Sequence, residues 1–164
     1  MMRSPRRKTG SSIDHEGTPA MNKPALLLLP IAALLLSACS SGPNEAASYR
    51  HSIFHVIAWH FGPLGAMAKG EQPFDQALFE RKAGILENLA QLPWEGFQEG
   101  TADGSDAKPE IWENKADFDA KADDLMRETA ELSRLSREGD QQAMLAQVGQ
   151  VGQACKACHQ EYRK

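Results

Sequence analysis

Met144, Val148, Val151, Cys155, Cys158 and Tyr162 follow one another at spacings of 4, 3, 4, 3 and 4 residues. That rhythm keeps to one face of an α-helix and fits no strand. It puts two cysteines on the face that an amphipathic helix turns toward its core, so whatever the thiols hold must lie against the protein interior. Asp140 is placed to cap this helix, and Gly139 to end the one before it. Three more helical segments are readable upstream. The first spans Tyr49 to about Lys69 and stops at Gly70. The second follows Pro73, with Asp75 near its start, and carries Leu78, Phe79, Leu86, Leu89 and Leu92 before Pro93 breaks it. The third opens at Pro109-Glu110 and repeats Ile111, Phe118, Leu125 and Leu132 every seven residues. No run alternates with the period of a strand. The expectation is an all-α chain, an antiparallel up-down-up-down four-helix bundle, with Phe97–Lys108 as its one long irregular connection.

The two cysteines belong to Cys155-Lys156-Ala157-Cys158-His159, the C-x-x-C-H attachment signature of c-type haem. Each thiol adds across a porphyrin vinyl group, and the adjacent imidazole ligates the iron. On a helix the cysteines are i,i+3 and His159 is i+4 from Cys155, so all three reach one planar cofactor. Two other chemistries use C-x-x-C. A redox dithiol belongs in a strand-turn-helix setting, and nothing nearby reads as a strand. A zinc site needs a second ligand pair, and the only other cysteine, Cys39, lies in a targeting segment. The reading is one covalent haem c on Cys155 and Cys158, with His159 as axial iron ligand. A C-x-x-C metal or redox-thiol protein stands as the least favoured alternative.

Residues 1–38 read as a signal region. Ala25–Leu36 is apolar apart from Pro30, too short for a membrane span and the right length for the core of a signal peptide. It ends in Leu36-Ser37-Ala38-Cys39, which resembles a bacterial lipobox, so Cys39 is the expected lipidation site. Met21-Asn22-Lys23-Pro24 makes a more ordinary start than Met1. Residues 39–48 then read as a lipid-anchored flexible linker and 49–164 as the domain. These features place the protein in the periplasm, anchored to the outer membrane through Cys39 alone. Removing residues 1–38 takes away five cations (Arg3, Arg6, Arg7, Lys8, Lys23) and two anions (Asp14, Glu16), so the net charge of −4 becomes −7. Such a domain repels nucleic acid. Asp117, Asp119, Asp123 and Asp124 read as a solvated outer face. With no nucleophile-base set or phosphate loop in view, nothing points to an enzyme with an organic substrate.

Tyr49-Arg50-His51-Ser52, His60-Phe61-Gly62, Lys69-Gly70-Glu71, Leu92-Pro93-Trp94, Pro109-Glu110-Ile111-Trp112 and Cys155-Lys156-Ala157-Cys158-His159…Tyr162-Arg163, taken together and in this order, resemble the cytochrome c′ family. The resemblance runs from about Tyr49 to the end. It implies that the residue four after Arg50 faces the distal side of the haem, where low-spin relatives carry methionine. Here that residue is Phe54, which cannot ligate iron. The implied centre is five-coordinate and high-spin, open to nitric oxide or carbon monoxide and without a donor for bound oxygen. The same resemblance implies Arg50 and His51 as partners of the haem propionates, although relatives more usually have glutamine at the place of His51. It implies Trp94 and Phe97 as rings packed on the porphyrin, and Arg163 over the proximal histidine. It also implies a homodimer through the first two helices. His51 and His55, at i,i+4, have a spacing that also suits a surface metal, but with no third ligand evident they read as a solvated pair. The function expected is nitric oxide sequestration by a haem protein. Electron transfer with a periplasmic redox partner is the alternative.

Overall fold

The structure, a computed structural model, describes residues 44–164. The signal region, the lipobox and Cys39 lie outside the described residues. Helix α1 is Glu45–Ala68 and α2 is Gln76–Leu89; a 3₁₀ turn follows at Pro93–Gly96. Then come α3 (Glu110–Glu113), α4 (Lys115–Glu138) and α5 (Gln141–Tyr162).

Three of the four long helices, α1, α2 and α5, start on a side-chain cap. The Asn44 carboxamide accepts from Ala47 N at 3.1 Å, Asp75 from Leu78 N at 3.0 Å and Asp140 from Ala143 N at 3.1 Å. Such caps satisfy amides that have no partner within the helix, each contributing about 1 kcal/mol. The Asn44 cap explains why α1 begins four residues ahead of the expected Tyr49. The last residues of the expected linker are therefore helical, and Ala47 is already buried. Gly139 closes α4 at φ 82°, a conformation that costs glycine nothing. The third segment is not one helix: Asn114 (φ −113°, ψ 45°) breaks it between α3 and α4. Ile111 and Phe118 still reach the same cluster across the break.

Cross-links between neighbours fix the direction of each helix. Tyr49 Oη donates to Leu92 O at 3.0 Å, while His60 Nδ1 and Lys82 Nζ lie 3.2 Å apart, so α1 and α2 are antiparallel. Gln76 Nε2 donates to Ser136 O at 2.7 Å, which sets the start of α2 beside the end of α4. Gln147 Nε2 donates to Glu128 Oε2 at 2.6 Å and Tyr162 Oη to Asp117 Oδ2 at 2.6 Å, setting α4 and α5 antiparallel. The result is the up-down-up-down four-helix bundle expected from the sequence.

Leu64, Phe79, Leu86, Leu132, Met144 and Val151 form the centre of the main core. Burying each such side chain stabilises by about 1.5–3 kcal/mol. Met144 thus fills core space, as its place in the stripe suggested. A second cluster of Ala107, Ile111, Phe118 and Tyr162 closes the end of the bundle that holds the chain terminus. There the loop clasps the terminus: Lys108 N donates to Tyr162 O at 3.0 Å and Lys164 N to Asp106 O at 2.9 Å. The acidic outer face of α4 is exposed to solvent, and several of its carboxylates are paired. Asp117 accepts from Tyr162 and pairs with Lys121 at 3.4 Å, Asp119 pairs with Lys115, and Asp124 with Arg127.

Candidate haem site

α5 carries Cys155 and Cys158 onto the seam between the two clusters. Cys155 packs against the main core and Cys158 against the terminal cluster. Both thiols are half-buried and free. Burial pushes the Cys155 thiol above its usual range. It pushes Cys158 up to about 11, with the Lys121 ammonium pulling the other way. His159 sits one position further on, at the surface. Its imidazole is shifted to a lower pKa, first by partial desolvation and then by the Arg163 charge.

Facing this seam is a wall of rings. Trp94 and Phe97 stack with centroids 6.1 Å apart, 24° between planes. Phe54, from α1, meets both edge-on, at 6.0 Å from Trp94 and 6.4 Å from Phe97. Phe118 lies 4.8 Å from Phe97, and Tyr162 stands edge-on to Phe118 at 5.4 Å. Trp94 Nε1 donates to Ala90 O at 2.7 Å, and the nearby Trp112 Nε1 to Phe97 O at 3.2 Å. Main-chain carbonyls take up both indole donors, which leaves the wall apolar.

The register puts Phe54 opposite the motif. A Cβ on Gly152 of α5 would touch the Phe61 ring at 3.7 Å, so these two residues are level. Going seven residues back along α1 and seven forward along α5 brings Phe54 level with His159. Met67 is on the same helix as Phe54 but about 20 Å away at 1.5 Å per residue.

Arg50 is 4 % exposed, and no carboxylate pairs with it among the described residues. Its Nη1 donates to Gly96 O at 2.7 Å and Thr101 Oγ1 at 2.9 Å. Its Nη2 donates to Thr101 O at 2.5 Å and Ser105 Oγ at 2.7 Å. The guanidinium also lies 5.0 Å from the Phe97 ring centroid. Desolvation lowers its pKa, yet arginine remains a cation. Arg50 and His51 are not brought together. One position along a helix turns the side chain by about 100°, and His51 is exposed, its ring edge-on to His55 at 4.5 Å. Among the described residues no group of three or more histidine, cysteine or acidic side chains is arranged to hold a metal ion.

α5 ends at Tyr162, and Arg163 is its C-cap, its amide donating to His159 O at 3.1 Å. It has an extended backbone (φ −113°, ψ 136°), and its guanidinium pairs with Asp106 at 3.3 Å. Its charge still acts on the His159 imidazole.

A family match for cytochrome c′ covers residues 45–163. Cytochrome c′ of Alcaligenes xylosoxydans xylosoxydans is 39 % identical over 122 residues, 74 % of this chain and 95 % of that protein. The solved cytochrome c prime from Shewanella frigidimarina superposes with a TM-score of 0.73 at 38 % identity, covering 76 % of this chain and 98 % of that one. The chain belongs to the cytochrome c′ family. Another solved member is the nitric oxide complex of a leucine-to-alanine variant from Alcaligenes xylosoxidans, with a TM-score of 0.70 and 39 % identity, covering 76 % of this chain and 97 % of that one.

Cytochromes c′ carry covalently bound haem c, and the residues here fit it. Two free thiols one helical turn apart, next to a histidine, have the spacing that two thioether bonds and an iron ligand need, whereas zinc binding or dithiol redox chemistry calls for thiolates of lowered pKa. A histidine biased toward its neutral form suits an iron ligand. A buried guanidinium without a carboxylate suits an anionic group brought in by the cofactor. Sequence reasoning missed Thr101 and Ser105 as partners of Arg50, and Phe118 and Tyr162 as parts of the ring cluster. Phe118 and Tyr162 were visible as stripe residues. The hydroxyls carried no local signal, because their partner is about fifty residues away.

Proposed function

We propose that this cytochrome c′ keeps an open sixth iron position for small gases and sequesters nitric oxide. Haem supplies the iron that holds the gas; the chain sets which ligands reach it. The observation that carries the reading is Phe54, level with His159 and set among Trp94 and Phe97. A phenyl ring in the place of a methionine thioether leaves iron no protein ligand on that side. The apolar wall offers no hydrogen bond to stabilise bound oxygen, while nitric oxide and carbon monoxide need none. The relative solved as its nitric oxide complex supports gas binding on this fold. Arg50 answers a propionate by its buried charge, Trp94 and Phe97 pack against the ring, and Arg163 biases His159 toward the neutral imidazole. Absorption spectra decide the matter. The ferrous protein is expected to be high-spin and five-coordinate and to shift on adding nitric oxide or carbon monoxide. A six-coordinate, low-spin ferrous spectrum would transfer the function to electron transfer.

We also infer export to the periplasm, lipidation of Cys39 and retention at the outer membrane, supported by the apolar run and lipobox. A homodimer through α1 and α2 is supported by Val56 and Trp59, 42 % and 74 % exposed on α1.

A further inference from the structure

Arg50 is a buried cation whose four terminal N–H groups are all engaged by one segment of chain. Gly96 and Thr101 give carbonyls; Thr101 and Ser105 give hydroxyls. Elsewhere the segment is held near its ends, where Trp112 Nε1 donates to Phe97 O at 3.2 Å and Lys164 Nζ to Ser105 O at 3.0 Å. Between them, apart from short-range turn bonds, its other ties are the Asn44 Nδ2 bonds to Thr101 O at 3.1 Å and Asp103 O at 3.4 Å. Glycines at positive φ, Gly100 and Gly104, interrupt it twice. The same segment carries Phe97, which forms one side of the wall around Phe54 and lies under the guanidinium. Gly96 packs so closely on α1 that a Cβ there would come within 3.1 Å of Ala46 O. The turn therefore has no room for a side chain at this position.

We propose that Arg50 is a positioning residue for gas entry: its planar fork ties the 96–105 loop to α1 and thereby holds Phe97 against Phe54. This deepens the gas-binding reading and rests on it for the entry step only. The loop-tying step stands on hydrogen bonds alone. Two properties of arginine separate here. Charge is what a propionate answers to, and lysine keeps it. The fork that donates to four oxygens at once is peculiar to guanidinium. Loss of the fork frees the loop, lets Phe97 swing from Phe54 and widens the path to iron.

The test uses the holoprotein with two variants, Arg50→Lys and the double variant Thr101→Val with Ser105→Ala. The double variant leaves Arg50 itself in place. Three quantities are read: amide hydrogen exchange over 97–105, carbon monoxide association to the ferrous protein, and reduction potential. Loss of charge-assisted hydrogen bonds should speed loop exchange by about tenfold or more in both variants. Carbon monoxide association should rise severalfold in both, and the potential of the double variant should stay at the wild-type value. Wild-type exchange in both variants overturns the assignment. Faster exchange with an unchanged association rate also overturns it, since Arg50 would then only stiffen the loop. A wild-type protein that takes up no carbon monoxide refutes gas binding instead, and the exchange measurement still reads the tie between Arg50 and the loop.

Discussion

Replacing Phe54 separates the stability of the site from its openness. Phe→Ala at a fully buried position costs about 3–5 kcal/mol. Phe54 is only half-buried, so roughly half of that applies. Its edge contacts with Trp94 at 6.0 Å and Phe97 at 6.4 Å account for part of it, at about 0.5–1.5 kcal/mol per aromatic pair. Phe54→Ala should therefore lose about 2 kcal/mol in denaturant unfolding of the holoprotein. Flash photolysis should show carbon monoxide association accelerated by about tenfold or more, since tenfold corresponds to only about 1.4 kcal/mol of barrier. Phe54→Met should act in the opposite sense, because its thioether reaches where the ring stood. The ferrous spectrum should move toward six-coordinate low-spin, with slower gas binding. An association rate within about twofold of wild type in Phe54→Ala, with stability falling as expected, would refute Phe54 as the barrier.

Acid-acetone should leave the haem with the protein, and the mass should exceed that of the apoprotein by one haem; Cys158→Ala should keep a single thioether or yield no stable holoprotein. Tyr162 donates to Asp117, which raises its pKa from 10.0 to about 12 and lowers that of Asp117. A phenol raised in the folded state contributes stability that is complete below pH 10 and lost as pH rises toward about 12, so Tyr162→Phe should flatten the alkaline limb of a stability–pH curve. Cys39→Ser should release the protein from membranes, and mass spectrometry of the wild type should find acyl chains on an N-terminal cysteine; a soluble wild-type product would refute lipidation. Trp59→Glu should shift sedimentation from dimer to monomer, and an already monomeric wild type would refute the α1 contact.

Much of the fold was legible because its signals are local. Asp140 caps the helix it was expected to cap, Asp75 caps the helix near whose start it was placed, and Gly139 ends α4 in the left-handed conformation. The covalent haem was legible for the same reason: Cys155, Cys158 and His159 lie within a turn and a half of helix. Less was legible where a partner was distant. Asn44 caps α1 and also reaches Thr101, so the helix starts where a tether was expected. Arg50 finds its partners some fifty residues ahead, beyond any periodicity. Arg163 leaves the helix because the loop at Ala107 bridges to it, a pairing that no pattern around Tyr162 announces. His51 was carried over from the resemblance, and its ring lies edge-on to that of His55.

The half-buried thiols on α5 carry a consequence for how the protein comes into being. Helical bundles close in microseconds to milliseconds once the chain is free to do so. A closed bundle holds Cys155 and Cys158 against its own interior, with Cys158 firmly protonated. The finished fold thus shuts the door on its own maturation. Bond formation to the cofactor has to win a race against collapse, and chains that lose it are left as compact, colourless by-products rather than precursors.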